Sequence, residues 1–243
     1  MLTRILMSAL IAGLFAGSLV AAVQSFTTTP LIIEAEHYEG GGEVETASID
    51  ASLILAHMAG APGHHASEGA EAWAPEDGLE RTIYTSIATI GTGVGFALVL
   101  LSVMVLSGAE ITAKTGLAWG AAAFVATGLA PALGLSPELP GSAAAALEAR
   151  QLWWAGTALA TALALWLMLR VSSPLAIAIG VALIVAPHLI GAPHPSEYTS
   201  QVPGELSGHF ASASLVAQAL CWALVGSIAG FFWQRQANGS QAA

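Results

Sequence analysis

Long apolar stretches separated by short polar joints make up most of this sequence. At about 1.5 Å per residue, a helix of about 20 apolar residues crosses the hydrocarbon core of a bilayer. Six stretches approach or exceed that length, and they cover residues 5–23, 82–106, 115–135, 151–169, 174–192 and 209–233. The pattern predicts an all-α, polytopic membrane protein with about six transmembrane helices, in which residues 1–243 form a single membrane domain.

A single long polar segment interrupts this pattern between the first and second spans. We predict a loop over residues 24–81, broken repeatedly by glycine and proline, with one short surface helix over residues 47–59. The part from Glu34 to Glu80 carries eleven of the sixteen carboxylates and four of the seven histidines. The net charge of −10 therefore comes mainly from this loop.

The composition excludes several classes of protein. Hydrophobic residues make up 55% and charged residues 9% of the chain, whereas a soluble domain carries roughly 25% charged residues. The six basic residues are spread singly, so the chain lacks the clustered positive surface that binds nucleic acid. The lone Cys221 excludes an internal disulfide and a thiolate metal site, and we interpret it as a small buried residue.

The first span has two interpretations. Residues 5–23 either anchor the chain in the membrane or form a cleaved signal peptide, for which Val20-Ala21-Ala22 offers a cleavage site. We favour the anchor because the apolar run is longer than a typical signal core. In both cases the loop that follows lies on the far side of the membrane.

Six spans place both termini on the same side of the membrane, and the basic residues indicate which side this is. Four of them fall on the side of the termini (Arg4, Lys114, Arg170, Arg235) and two on the side of the loop (Arg81, Arg150). By the positive-inside rule, this bias favours cytoplasmic termini and an external loop.

This topology divides the reactive side chains unequally. All seven histidines and fifteen of the sixteen carboxylates fall on the external side or at the external ends of spans. Carboxylates raise the local concentration of cations, and imidazole with carboxylate but without thiolate suits cobalt, nickel, zinc or copper(II). The external face is therefore a candidate surface for divalent transition metals.

Three histidines at the external boundary are the sharpest candidate ligands: His188, His194 and His209. An ionisable side chain close to hydrocarbon is costly and indicates function. Pro187 and Pro193 each remove a backbone donor, which leaves carbonyls that can coordinate a cation at a broken helix end. The alternative is that His188 only caps a helix and that His194 only begins a loop.

A second candidate lies in the loop, where His64, His65 and Glu68 are close enough in sequence to form a flexible chelate. The alternative for these residues, and more so for His37 and His57, is that they are solvated side chains without a ligand. The chain has no P-loop, zinc-protease or nucleophile-elbow motif. It therefore does not hydrolyse ATP by a P-loop.

Six segments, spread from the first span to the last, resemble the CbtA family of proposed bacterial cobalt transporter subunits. They are LIIEAEHYE (31–39), WAPEDGLERT (73–82), GTGVGF (91–96), LAPALGLSPELPG (129–141), ARQLWW (149–154) and PHLIGAPHP (187–195). The resemblance implies five or six spans, cobalt uptake linked to cobalamin synthesis, and a small one-span, histidine-bearing partner, CbtB. It supplies no set of ligands, so the candidate ligands above rest on the residues alone.

Together these features predict a non-enzymatic subunit of the bacterial inner membrane that admits cobalt, nickel or a similar divalent ion. The ion is cargo, and no permanently bound cofactor is expected. Two alternatives stay open: a membrane-embedded metalloenzyme that uses the three boundary histidines, and a scaffold or sensor that binds metal without transporting it. The sequence also leaves open whether copies of the chain form a homo-oligomer and whether cobalt is preferred to nickel.

Overall fold

A computed structural model describes residues 1–39, 75–76, 78–171 and 173–241. All regular secondary structure in these residues is helical. The helices are α1 (Leu2–Phe26), α2 (Thr28–Glu39), α3 (Leu79–Leu106), α4 (Ala113–Phe124), α5 (Leu147–Trp166), α6 (Pro174–Ile190) and α7 (Gly204–Gln241). A π turn, Val125–Leu129, continues α4 into Ala130–Ala132, and a second π turn, Leu167–Val171, ends α5.

The helix lengths confirm an all-α membrane protein with several spans. Five of the described helices, counted with their continuations, are long and apolar enough to cross a membrane, and α6 is a shorter apolar helix of 17 residues. Each of the six predicted spans overlaps one helix other than α2. About six membrane-crossing helices is therefore consistent with the structure.

The polar segment after α1 begins with a helix, which corrects the loop predicted over residues 24–81. The first helix runs on to Phe26, and α2 follows after one residue. Within α2, Leu31 and Ala35 lie on the same side because they are four residues apart, and both are buried. They pack with Leu139 and Leu206 in a small apolar cluster, whose burial stabilises the helix. The helix expected over residues 47–59 lies outside the described residues.

The helices run up and down through a bundle that has two ends. We call the end that holds both termini of the described chain the terminal end. There the Nε of Arg4 donates to the carbonyl oxygen of Trp233 over 3.0 Å, and Arg170 donates to the carbonyl oxygen of Ser107 over 3.2 Å. The opposite end, which we call the loop end, holds α2, the start of α3 and the joints 133–146 and 191–203.

Small residues let the backbones of neighbouring helices approach closely. In α4 and α7, a Cβ on Gly116 would overlap the carbonyl of Gly226, and a Cβ on Gly226 would overlap the carbonyl of Gly116. One turn further along α4, a Cβ on Gly120 would overlap the carbonyl of Trp222. These two helices therefore meet backbone to backbone.

The α1–α3 contact also uses glycines, and these come from both helices. Gly13 of α1 lies against the backbone of Val94, and Gly17 lies against Ile90. In α3 the buried glycine is Gly93, whereas a Cβ on Gly91 would meet no atom within 4 Å. Gly91 is therefore not part of this helix contact.

The π turn in α4 has a local cause in the sequence. Pro131 lacks an N–H, so it does not give the usual α-helical bond to the carbonyl of Thr127. The Ala130 N–H bonds five residues back to the Val125 carbonyl instead of four, which widens the turn. The turn contacts both α5 and α7, so it lies where the α5–α6 pair joins the rest of the bundle.

Candidate functional site

His188 lies near the loop end, in the last turn of α6. The helix passes through Pro187 and ends at Ile190, because Gly191 adopts a φ of 89°, a conformation that favours glycine. Pro187 therefore does not break α6 as the sequence suggested. The indole Nε1 of Trp153 donates to the Pro187 carbonyl oxygen over 3.2 Å, which attaches this last turn to α5.

The imidazole of His188 has a defined position, but one of its ring nitrogens has no hydrogen bond in the described part of the chain. Its ring meets the Trp153 ring edge-on, with centroids 5.8 Å apart and an angle of 67° between the planes. Its Nε2 is buried and has no hydrogen-bond partner among the described residues. Leaving such an atom unpaired costs about 1–3 kcal/mol, so this nitrogen is a candidate to bind a ligand that enters from the loop end.

His194 and His209 lie at the same end of the bundle but are exposed. The His194 ring lies 6.4 Å from the Tyr198 ring, between centroids, in the joint between α6 and α7. His209 lies in the second turn of α7. No group of three or more His, Cys, Asp or Glu side chains in the described ranges is arranged to hold a metal ion. The three histidines thus share one end without forming a preassembled centre, and their role as ligands stays a prediction.

The loop candidates His64, His65 and Glu68 lie outside the described residues, as does His57, so the proposed chelate stays a prediction. His37 is described, in α2, where it is exposed. Its Nδ1 lies 2.8 Å from the carbonyl oxygen of Ile33. That ring nitrogen is therefore occupied within its own helix.

Two ion pairs connect elements at the loop end. Arg81 at the start of α3 pairs with Glu36 of α2, with a hydrogen bond of 2.9 Å from Nη1 to Oε2. Arg150 at the start of α5 pairs with Glu138 over 2.6 Å. Burial raises the pKa of Glu138, and the positive charge of Arg150 acts in the opposite direction. The net rise in pKa means that desolvation outweighs the attraction of Arg150 at this carboxyl.

The contacts that Trp153 makes in the structure were not predicted from the sequence. In the structure, Trp154 is exposed, whereas Trp153 turns inward and contacts both His188 and the end of α6. The spacing of the apolar residues in α5 carries a signal for this. Trp153 lies four residues before Thr157, which is fully buried, so the two share a face.

Comparison with known protein families gives one result that covers nearly the whole chain. The sequence model of the CbtA family, described as "Probable cobalt transporter subunit (CbtA)", matches residues 2–234. The match reaches into each of the seven helices. The comparisons with curated proteins and with solved structures find no match.

Proposed function

The chain belongs to the CbtA family of probable cobalt transporter subunits, and we propose that it is the membrane subunit through which cobalt, or a similar divalent ion such as nickel, enters the cell. The observation that carries this proposal is the family match over residues 2–234. In this function the ion is cargo and the protein is not an enzyme. The bundle of apolar helices supplies the membrane-spanning part that such a protein needs.

The distribution of charge supports entry from the loop end. Of the described basic residues, Arg4, Lys114, Arg170 and Arg235 lie toward the terminal end, whereas Arg81 and Arg150 lie toward the loop end and are paired with carboxylates. The described carboxylates, apart from Glu110, lie at the loop end together with the histidines. By the positive-inside rule, the terminal end faces the cytoplasm of a bacterial inner membrane, and the acidic loop end attracts cations from outside.

His188 is the first ligand that we assign to the entering ion. Its unpaired Nε2 supports this assignment, and the exposed His194 and His209 lie at the same end. We propose that these two rings move toward the ion when it binds. The loop residues His64, His65 and Glu68 gather the ion before it reaches the bundle.

The family description, which names a transporter subunit, supports a partner protein. We propose that the partner is a small, one-span, histidine-bearing protein of the CbtB type, and that the imported cobalt serves cobalamin synthesis. The membrane potential provides a driving force for entry, because moving one elementary charge across 100 mV is worth roughly 2.3 kcal/mol.

The test is the cobalt and nickel content of cells that express the chain with the small partner, measured by elemental mass spectrometry. Wild type is compared with the triple variant His188→Ala, His194→Ala, His209→Ala at matched membrane levels. His37→Ala is the matched control, since one ring nitrogen of that exposed histidine is occupied by a backbone carbonyl of its own helix.

We expect cobalt to rise in wild type and in the control and to stay at background in the triple variant. Equal cobalt in wild type and in cells without the protein would contradict the uptake function. Cobalt that rises equally in wild type and in the triple variant would remove the three histidines from the route and leave uptake standing.

A further inference from the structure

A cavity at the loop end lies between the joints 133–146 and 191–203 and the first turns of α7. Its volume is about 310 Å³. One carboxylate lines it, that of Glu138, and no Lys, Arg or His side chain among the described residues does. The other polar side chains of its wall all carry hydroxyl groups: Ser136, Ser142, Tyr198, Ser200 and Ser207. The wall thus combines one acidic group with several neutral oxygens.

Buried apolar residues hold the walls of this cavity in place. Leu139, the neighbour of Glu138, and Val202 are both buried in the small apolar cluster that also holds α2. In the first joint, Gly141 has a φ of 75°, and the Ser142 N–H donates to the Leu139 carbonyl oxygen over 3.2 Å. This turn folds the chain back, so that Glu138 and Ser142 line the same cavity.

The hydrogen bonds of two serines indicate which kind of ligand the wall suits. The Ser207 hydroxyl donates to the carbonyl oxygen of Pro203 over 3.3 Å, and the Ser200 hydroxyl donates to that of Val202 over 3.4 Å. A hydroxyl has one hydrogen to donate and two lone pairs, so both oxygens are left as acceptors. Acceptor oxygens beside a carboxylate suit a ligand that carries positive charge and hydrogen-bond donors.

The carboxylate of Glu138 already has one cationic partner. Arg150 donates to its Oε2 over 2.6 Å. A carboxylate has lone pairs on both oxygens, so a second cation can share it. Because Arg150 balances the charge, the attraction for that second cation is moderate. Moderate binding suits an ion that must leave the site again on its way through the protein.

The donor set determines the form in which a divalent ion would be held. One carboxylate and several hydroxyls are too few strong ligands to replace the water of a transition-metal ion, whose preferred ligands include imidazole. Water molecules that the ion keeps can instead donate to these oxygens. Six waters take up about 180 Å³ at about 30 Å³ each, so the cavity has room for an ion with its water shell.

The cavity is close to the candidate histidines. The ring of Tyr198, which lines it, lies 6.4 Å from the ring of His194, between centroids. At the start of the first joint, Gly134 lies against the indole of Trp153, and the same indole meets the ring of His188. An ion in the cavity is therefore near ring nitrogens that can replace its water.

We propose that this cavity, with Glu138 as its charged group, binds the divalent ion in hydrated form before the histidines take it up. The inference rests on the proposed uptake function. It adds a site that contains no histidine, and it separates two steps: the ion is first held through its water shell and is then bound directly by imidazole.

The probe for the test is hexaamminecobalt(III), which keeps its six ammonia ligands and so binds only through charge and hydrogen bonds, as a hydrated ion does. Ser142→Cys places a thiol in the cavity wall. Glu197→Cys places one outside the cavity, at an exposed position in the second joint. Each is combined with Cys221→Ala, which removes the only native thiol. The full chain in lipid nanodiscs is then labelled with a thiol reagent, with and without the probe.

We expect the probe to slow labelling at position 142 several-fold and to leave the rate at position 197 unchanged. Equal slowing at both positions would show only a general attraction to an acidic surface and would overturn the site. Unslowed labelling at position 142 would overturn it as well.

Two substitutions that both break the ion pair test the role of the carboxylate. In the Ser142→Cys protein, Glu138→Gln removes the carboxylate, whereas Arg150→Gln removes the competing cation and keeps the carboxylate. In mildly alkaline buffer, the probe concentration for half-maximal protection should rise about tenfold in Glu138→Gln, as expected for the loss of a charge-assisted hydrogen bond. It should fall in Arg150→Gln. A rise in both variants would mean that the ion pair only holds the joint in place, and an unchanged value in Glu138→Gln would also overturn the site.

Cobalt uptake by the same variants separates this inference from the proposed function. Glu138→Gln should raise the cobalt concentration at half-maximal uptake, and Arg150→Gln should not. If wild type imports no cobalt while the probe still protects position 142 in a way that depends on Glu138, the uptake function is wrong and the hydrated-cation site stands. If wild type imports cobalt but the probe gives no protection, the site is wrong and the uptake function stands.

Discussion

The indole of Trp153 donates a 3.2 Å hydrogen bond to the carbonyl oxygen of Pro187 and so joins α5 to the last turn of α6. The same oxygen accepts the N–H of Gly191 at 3.1 Å, so it is shared by two donors where the helix ends. The next residue, His188, places its ring edge-on to the indole. The position of this imidazole therefore depends on a residue of a different helix.

Trp153→Phe removes the hydrogen bond to the Pro187 carbonyl oxygen and keeps most of the aromatic packing, so His188 should be less firmly positioned. Losing this hydrogen bond should lower the free energy of unfolding by about 1 kcal/mol. Because the imidazole then has more freedom, the cobalt concentration at half-maximal uptake should rise. Trp154→Phe is the control, since the side chain of Trp154 is exposed to the surroundings of the bundle. An equal effect of the two substitutions would argue against the contact between Trp153 and α6.

His188→Leu should change stability and uptake in opposite directions. The Nε2 of His188 is buried and has no partner in the described part of the molecule. An unpaired atom of this kind disfavours the folded state by about 1–3 kcal/mol, and an apolar side chain removes that cost. We therefore expect a higher melting temperature in detergent together with a loss of most cobalt uptake. Such a trade between stability and function is common at binding sites.

The matched substitution for this test is His209→Leu. His209 is exposed in the second turn of α7, so replacing it removes no buried, unpaired nitrogen. Its melting temperature should not rise. A fall in the melting temperature of His188→Leu would show that the imidazole is satisfied in the folded protein, and the assignment of a ligand-binding nitrogen would then be wrong.

Gly116→Val should separate α4 from α7. Any Cβ at this position overlaps the carbonyl of Gly226, so the two backbones must move apart. Overpacking of this kind costs about 1–3 kcal/mol or more, and we expect a lower melting temperature and less protein in the membrane. Gly91→Val is the control, because a Cβ there meets no atom within 4 Å. Equal losses in both variants would mean that helix propensity, rather than the close contact, determines the effect.

The membrane-spanning helices could be predicted from the sequence because apolar runs of this length are typical of helices that cross a bilayer. The beginning of the polar segment could not, since α2 depends on Leu31 and Ala35 packing against residues more than 100 positions away, such as Leu139. Apolar spacing in a short segment next to many carboxylates gives too weak a signal. Only the tertiary contact makes this helix stable.

The candidate site was predictable in its residue types but not in its geometry. Histidines at a span end indicated the loop end, and the structure places His188, His194 and His209 there. It was not evident from the sequence that only one of them is partly buried. That difference arises from Trp153 and from the continuation of α6 through Pro187. In the same way, Thr157 and Thr161 of α5 are both fully buried threonines. Only the structure shows that the Thr157 hydroxyl donates to the Trp153 carbonyl oxygen, whereas the Thr161 hydroxyl has no hydrogen-bond partner among the described residues.

Acidification should stabilise the wild type relative to Glu138→Gln. Burial raises the pKa of Glu138 in the folded protein, so between its unfolded and folded pKa values the folded state binds more protons than the unfolded state. Stability from this group therefore falls as pH rises through that range and is recovered as pH falls. Melting temperatures of both proteins are measured from neutral pH downward. The melting temperature of the wild type should rise relative to that of the variant as the pH falls.

Glu148→Gln makes the same change of charge in the first turn of α5 and is the control for this titration. If the wild type instead loses stability relative to Glu138→Gln on acidification, the pH dependence of stability has the opposite sign from the one expected. It would mean that the ion pair with Arg150, rather than burial, dominates the pKa of Glu138.

The orientation of the bundle can be tested with two exposed glutamates at opposite ends. Glu197 lies in the joint between α6 and α7 at the loop end, and Glu110 lies between α3 and α4 at the terminal end. Each is replaced by cysteine together with Cys221→Ala, and intact cells are treated with a membrane-impermeant thiol reagent. Because the basic residues favour a cytoplasmic terminal end, we expect Glu197→Cys to be labelled in intact cells and Glu110→Cys only after lysis. The reverse pattern would place the histidines on the cytoplasmic side, where they would meet an imported ion only after it has crossed the membrane.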